Sequence, residues 1–198
     1  MSSEREERWR LFCAVELSAE ARERAAGHID RLKAGMPDVR AGWERPEKLH
    51  ITLKFLGETE RTRAEALGEA AARAARRVEP FEMTLEGTGT CPPRGLPKVL
   101  WLGLTDASGS LRALQRGLED ACAALGFKRE ERSFHPHLTL ARLRRPQGAV
   151  ELARLHRSTP FAAVSFPVPD LLVIRSELGP GGSRYTVLSR HALGQRSA

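Results

Sequence analysis

Cysteine is scarce in this chain of 198 residues: Cys13, Cys91 and Cys122 are odd in number and far apart. No C-x-x-C spacing occurs, which excludes a disulfide framework and a thiolate zinc site and points to a reducing compartment. Long apolar runs are missing too. The run from Leu11 to Val15 is too short for a signal-peptide core or a membrane span, so a soluble, cytoplasmic protein without membrane contact is expected. Low-complexity linkers are absent, and aromatic residues make up 6%. The 41% hydrophobic and 29% charged content fits a folded domain large enough to bury its own core.

Cations outnumber anions, with 32 Lys and Arg against 25 Asp and Glu, a formal +7. Such a surplus suits polyanions, but it is first a statement about solubility. Along the chain, residues 1–9 and 193–198 read as loose, charged termini around a single catalytic unit at 10–192. Arg10 to Leu17 reads as an apolar strand. Ser18 is a plausible cap for a helix through about Lys33 stopped by Gly35. Leu49 to Leu56 alternates as a strand, Thr59 opens an Ala- and Arg-rich helix to about Val78, and Phe81 to Gly87 is a strand. The pattern then restarts. Val99 to Leu104 is a strand, Leu111 to Leu125 a helix closed by Gly126, and His137 to Leu143 a strand. Val150 to His156 is a short helix and Phe161 to Val168 a strand. Leu171 to Ile174 and Tyr185 to Leu188 complete the set around the Gly179-Pro-Gly-Gly turn. Strand, helix, strand, helix, strand thus occurs twice, over roughly 10–90 and 98–168. This predicts an α+β fold of two similar lobes, each with a mainly antiparallel sheet and helices, facing across a cleft.

The third element of each half carries one motif: Leu49-His-Ile-Thr-Leu53 and Pro136-His-Leu-Thr-Leu140. Six histidines give about 0.3 accidental H-x-T matches in a chain of this length, so two at equivalent places of a repeat are not accidental. In a strand, residues i and i+2 share a face. His50 with Thr52, and His137 with Thr139, therefore point one way while their aliphatic neighbours enter the core. Lobes that face each other would bring two imidazoles and two hydroxyls into one cleft. One neutral imidazole can take a proton from water and one charged imidazole can protonate a leaving oxygen. Hydroxyls can meanwhile stabilise charge on a phosphoryl group. No metal or other cofactor is called for.

These paired strands resemble the two-histidine (2H) phosphoesterase superfamily. Within it, the chain is similar to the RNA 2′,3′-cyclic phosphodiesterases, also called 2′–5′ RNA ligases. The resemblance rests on Arg10 to Leu17, Trp43 to Gly57, Val99 to Trp101, Phe134 to Arg142 and Ser176 to Tyr185. It implies hydrolysis of a terminal RNA 2′,3′-cyclic phosphate to a 2′-phosphate, with reversible 2′–5′ ligation in some relatives. It also implies His50 as proton donor, His137 as proton acceptor, and Thr52 and Thr139 as phosphate ligands. RNA with such a terminus is the expected partner, small cyclic nucleotides are possible substrates, and a monomer is expected. A non-catalytic nucleotide- or RNA-binding module on the same fold is the alternative.

Around the motifs lie Arg45, Lys48 and Lys54, and Arg132, Arg142, Arg144 and Arg145. Arg142 and Lys54 are the candidate RNA contacts, Arg142 being the one included in the resemblance. Trp43, Phe55 and Phe134 are candidates for stacking on a base, against the plainer reading that each packs in the core. His135 and His137 with His50 form a possible three-histidine zinc set, although no carboxylate or cysteine sits at a supporting spacing. His28, His156 and His191 read as surface or partly packed residues.

Overall fold

The computed structural model describes residues 7–179 and 182–194. Among these residues nine strands form two antiparallel sheets. The first has β3 (His50–Glu60), β1 (Arg8–Glu16), β8 (Asp170–Gly179) and β9 (Gly182–Ala192), in that order. The second has β2 (Gly42–Trp43), β6 (His137–Arg142), β5 (Val99–Thr105), β4 (Phe81–Cys91) and β7 (Val164–Val168). Helices α2 (Ala64–Ala75) and α3 (Ser110–Ala124) pack on the first sheet, through β8, β9 and β3, and α1 (Ala19–Gly35) and α4 (Ala149–Ser158) on the second, through β7 and β4. One apolar cluster runs through both lobes, from Leu11, Ile51 and Leu67 to Leu138, Leu140 and Phe166.

The lobes do not coincide with the halves of the chain. β4, from the first half, joins the second sheet because it forms a hairpin with β5, from Cys91↔Val99 to Thr84↔Thr105. The C-terminal pair β8 and β9 completes the first sheet, with Arg10 opposite Ser176. Sequential strands usually pair, and that preference prevails over the repeat.

Several boundaries differ from those expected. The first strand begins at Arg8, inside the stretch read as loose. There the Trp9 indole lies between Arg61 and Arg175, 5.6 and 4.3 Å from their guanidinium carbons, and donates to Glu7 at 2.8 Å. At the other end Leu193 is buried and its N–H bonds the Pro169 carbonyl. Residues 1–6 and 195–198, and Pro180 and Gly181 of the predicted turn, lie outside the described residues. Thr59 does not open a helix. It is buried in β3 opposite Trp9, and one 3₁₀ turn, Arg61–Arg63, precedes α2. Ser18 caps α1 as expected, its hydroxyl accepting from the Ala21 N–H at 3.2 Å. Gly35 is the last residue of α1, in keeping with the expected stop, and a Cβ there would fall 2.8 Å from a Leu155 methyl. Its role is close packing of α1 on α4.

Candidate active site

The two motif strands share one irregularity. In β3, Thr52 pairs with Ala14 and Lys54 with Cys13, so Leu53 is an extra residue. In β6, Thr139 pairs with Trp101 and Ala141 with Leu100, leaving Leu140 extra. A bulge of this kind reverses the phase of alternation. After H-x-T, two successive residues therefore turn inward, Leu53 with Lys54 and Leu140 with Ala141, all buried. The next residue in each strand, Phe55 or Arg142, faces outward.

This phase reversal sorts the candidate residues. His50, Thr52, His137 and Thr139 all line a single cleft of about 650 Å³ between the sheets, together with Phe55 and Arg142. Phe55 is 64% exposed, so it belongs to the cleft and not to the core. Lys54 is only 5% exposed. Its ammonium donates to Glu119 at 2.7 Å and to the Lys128 carbonyl at 3.0 Å. It is a buried structural cation, and the expectation of an RNA contact is overturned. Phe134 packs on the main core, while its carbonyl accepts from Arg112 at 3.2 Å. It offers no stacking surface in the cleft. Trp43 is half-buried, lines the cleft and also packs on the core. Of the basic residues near the motifs, Arg45, Lys48, Arg142 and Arg144 line the cleft, and Arg10 joins them.

Both imidazoles are held in the same way. His50 Nδ1 lies 2.6 Å from the Lys48 carbonyl and His137 Nδ1 lies 2.8 Å from the His135 carbonyl. A carbonyl only accepts, so each Nδ1 carries a proton and each Nε2 is the nitrogen left for other partners. His135 thus contributes its backbone. The His50 acceptor sits in a 3₁₀ turn, Pro46–Lys48, that Arg22 of α1 ties down through the Pro46 and Leu49 carbonyls at 2.7 and 3.1 Å.

The surroundings differ. His50 is partly enclosed by Phe12 and Tyr185, with ring centroids at 4.9 and 5.4 Å, and Thr52 Oγ1 lies 3.0 Å from its Nε2. Burial, with the nearby Arg142 and Arg22, holds the His50 pKa below the ordinary imidazole range against the opposing backbone bond to Lys48. His137 is exposed, with Trp101 alongside at 6.2 Å between centroids. Among the described residues, Glu44 is the one carboxylate lining the cleft. Burial raises its pKa in spite of Arg142 and Lys48. Among the described residues no group of three or more His, Cys, Asp or Glu side chains is placed to hold a metal ion. The three-histidine alternative is therefore not assembled.

Phe12, Tyr185, Arg10 and Glu44 escaped the sequence reading. Phe12 lies in an apolar run that reads as core throughout. Leu11, Cys13 and Val15 do enter the main core, but Phe12 and Ala14 join Leu172, Ile174 and Tyr185 in a separate cluster on the cleft side. Tyr185 had one available signal, being the chain's single tyrosine.

Comparison with known proteins agrees with this geometry. A profile of the 2′-5′ RNA ligase superfamily matches residues 21–180. A protein of Methanothermobacter thermautotrophicus named RNA 2′,3′-cyclic phosphodiesterase is 34% identical over 178 residues, 89% of this chain and 95% of its own length. One of the same name from Geobacillus stearothermophilus is 33% identical over 84% of this chain, which spans only 52% of that longer relative. The crystal structure of Escherichia coli LigT complexed with 3′-AMP superposes with a TM-score of 0.72 at 31% identity, covering 96% of this chain and all of that one. On these grounds, and with two bulged H-x-T strands facing one cleft, the chain belongs to the 2′-5′ RNA ligase superfamily.

Proposed function

We propose that this protein, acting as a monomer, hydrolyses a terminal 2′,3′-cyclic phosphate on RNA to a 2′-phosphate by acid–base catalysis between His50 and His137. The observation that carries this reading is the convergence of His50, Thr52, His137 and Thr139 on one basic cleft from two sheets. The names of its relatives, RNA 2′,3′-cyclic phosphodiesterases, support the substrate class.

Water enters on the His137 side and gives its proton to His137 Nε2 as its oxygen attacks phosphorus. The P–O3′ bond breaks, and the departing 3′ oxygen takes the proton of His50 Nε2. Before substrate binds, the depressed pKa favours neutral His50, so the Thr52 hydroxyl donates to its Nε2. Arrival of an anionic phosphate favours the charged form. Once Nε2 is protonated it becomes a donor, and the Thr52 hydroxyl is released to a phosphoryl oxygen, as Thr139 is from the other sheet. An imidazolium with a depressed pKa is also a stronger acid toward the leaving oxygen. Arg142 contacts the phosphate chain and Phe55 stacks on a base. With a 5′-hydroxyl in place of water the same steps would form a 2′–5′ bond as P–O3′ breaks, the 5′-hydroxyl proton going to His137 and the 3′ oxygen taking the proton of His50. Small cyclic nucleotides present the same phosphate to the cleft.

An oligonucleotide ending in a 2′,3′-cyclic phosphate tests the proposal. The expected product is the 2′-phosphate, formed equally well with chelator present. His50→Ala and His137→Ala should each lose at least about 10²–10⁴ in kcat with the fold retained. A 3′-phosphate product would reverse the assigned polarity. Binding without turnover would leave a non-catalytic module.

A further inference from the structure

Two histidines away from the cleft, His28 on α1 and His156 on α4, are fully buried, where surface or partly packed positions were expected. His28 Nε2 lies 3.0 Å from His156 Nδ1, and His156 Nε2 lies 3.0 Å from the Trp101 carbonyl. At the other end, Arg31 Nη2 lies 3.3 Å from His28 Nδ1. Only one placement of protons satisfies all three bonds. The Trp101 carbonyl must accept, so His156 carries its proton on Nε2 and leaves Nδ1 bare. His28 must then donate through Nε2, and its bare Nδ1 accepts from the guanidinium. Both rings are neutral, and a second proton on either would set two N–H groups against each other.

The environment favours this state. Burial, then His156 and Arg31, hold the His28 pKa down to about 4. Burial and Arg157 keep that of His156 below its ordinary range, although its bonds to the Trp101 and Gly89 backbone oppose the shift. The Phe161 ring closes over His28 edge-on at 5.6 Å.

The chain of bonds ends beneath the cleft. Trp101 stands opposite Gly89 on one side and Thr139 on the other. Its indole occupies the space above Gly89, where an added Cβ would fall 2.1 Å from a ring carbon, and it lies beside the His137 ring. The β5–β6 ladder carries its extra residue, Leu140, immediately after the Trp101–Thr139 pair, so the second motif departs from regular pairing next to Trp101.

We propose that His28 and His156 are positioning residues for the second motif: the directed chain from α1 and α4 fixes Trp101, and Trp101 fixes His137 and Thr139. This rests on the reading of His137 as the proton acceptor. NMR of the wild-type imidazoles at pH 7 should find both buried rings neutral and protonated on Nε2. A charged ring, or a proton on either Nδ1, would overturn the chain of bonds. His156→Leu should lower kcat by about tenfold or more with little change in KM, and should shift the titration of His137 followed by NMR. His156→Gln, which keeps a donor for the Trp101 carbonyl, should restore most of both. A folded His156→Leu protein with wild-type kcat and an unmoved His137 titration would sink the proposal. If that variant does not fold, His28→Gln decides by the same two readings. The titration needs no substrate, so failure of the wild type to open a cyclic phosphate would strike the proposed reaction and leave this test intact.

Discussion

Replacing Lys54 with Met separates a structural role from an RNA contact. The ammonium is nearly out of solvent and pairs with a Glu119 carboxylate that is also buried, their side chains being 3% and 10% exposed. Glu119 has other partners, the Gln115 amide at 3.5 Å and the Glu130 N–H at 3.4 Å. Both are long, and neither supplies a charge. Met fills the volume of the Lys stem, so packing changes little and the carboxylate is left unpaired. Removing one member of a buried pair costs about 3–5 kcal/mol. In a domain of this size each kcal/mol lowers Tm by about 2–4 °C, so Lys54→Met should melt about 6–20 °C below the wild type. Urea denaturation at pH 7 should show the same loss in midpoint. The double variant Lys54→Met/Glu119→Leu removes both charges and should recover most of the loss. At a temperature where Lys54→Met is folded, its KM for RNA and the salt dependence of binding should match the wild type. A variant of wild-type stability with weakened, less salt-dependent binding would refute the structural reading.

Arg142→Ala should raise KM with kcat little changed, and should lower the slope of log affinity against log salt by about 0.7, as expected for one lost contact to single-stranded phosphate; an unchanged slope would remove Arg142 from the RNA path. Phe55→Ala should cost about 1–3 kcal/mol in binding an oligonucleotide if a base stacks there, with no loss of Tm because the ring is exposed; equal affinity would discard the stacking role. Acid should destabilise the protein through His28, which is neutral when folded and protonates more readily when unfolded. Its contribution is complete above about pH 6.5 and fades as pH falls to about 4, a loss of about 3 kcal/mol. Urea midpoints measured from pH 7 to 4 should fall accordingly, and His28→Gln should flatten the trend. A midpoint that does not move in the wild type would contradict a neutral buried ring.

Local chemistry made part of this protein legible in its sequence. The spacing His50-x-Thr52 and His137-x-Thr139 places each pair on one strand face whatever the tertiary context, because the period of an extended chain is two. Ser18 announced its helix for a similarly local reason: a hydroxyl before an apolar helical pattern satisfies a free N–H of the first turn. Alternation failed one residue beyond each Thr. A bulge depends on how the neighbouring strand pairs, and nothing in Leu53-Lys54-Phe55 announces it. For this reason Lys54 faces inward and Phe55 outward, the reverse of what strict alternation from His50 gives.

Sequence alone therefore determined the candidate reacting groups, the strands that carry them and the α+β class, since all of these follow from residue type and short-range period. Only the tertiary structure decided which strands share a sheet, sending β4 to the second lobe and β8 and β9 to the first. It also decided that Tyr185 and Phe12 enclose His50, and that His28 and His156 meet in the interior. Those outcomes depend on hydrogen-bond pairing and packing between segments as much as 173 positions apart, as in Phe12 beside Tyr185, and such contacts leave no periodic trace along the chain.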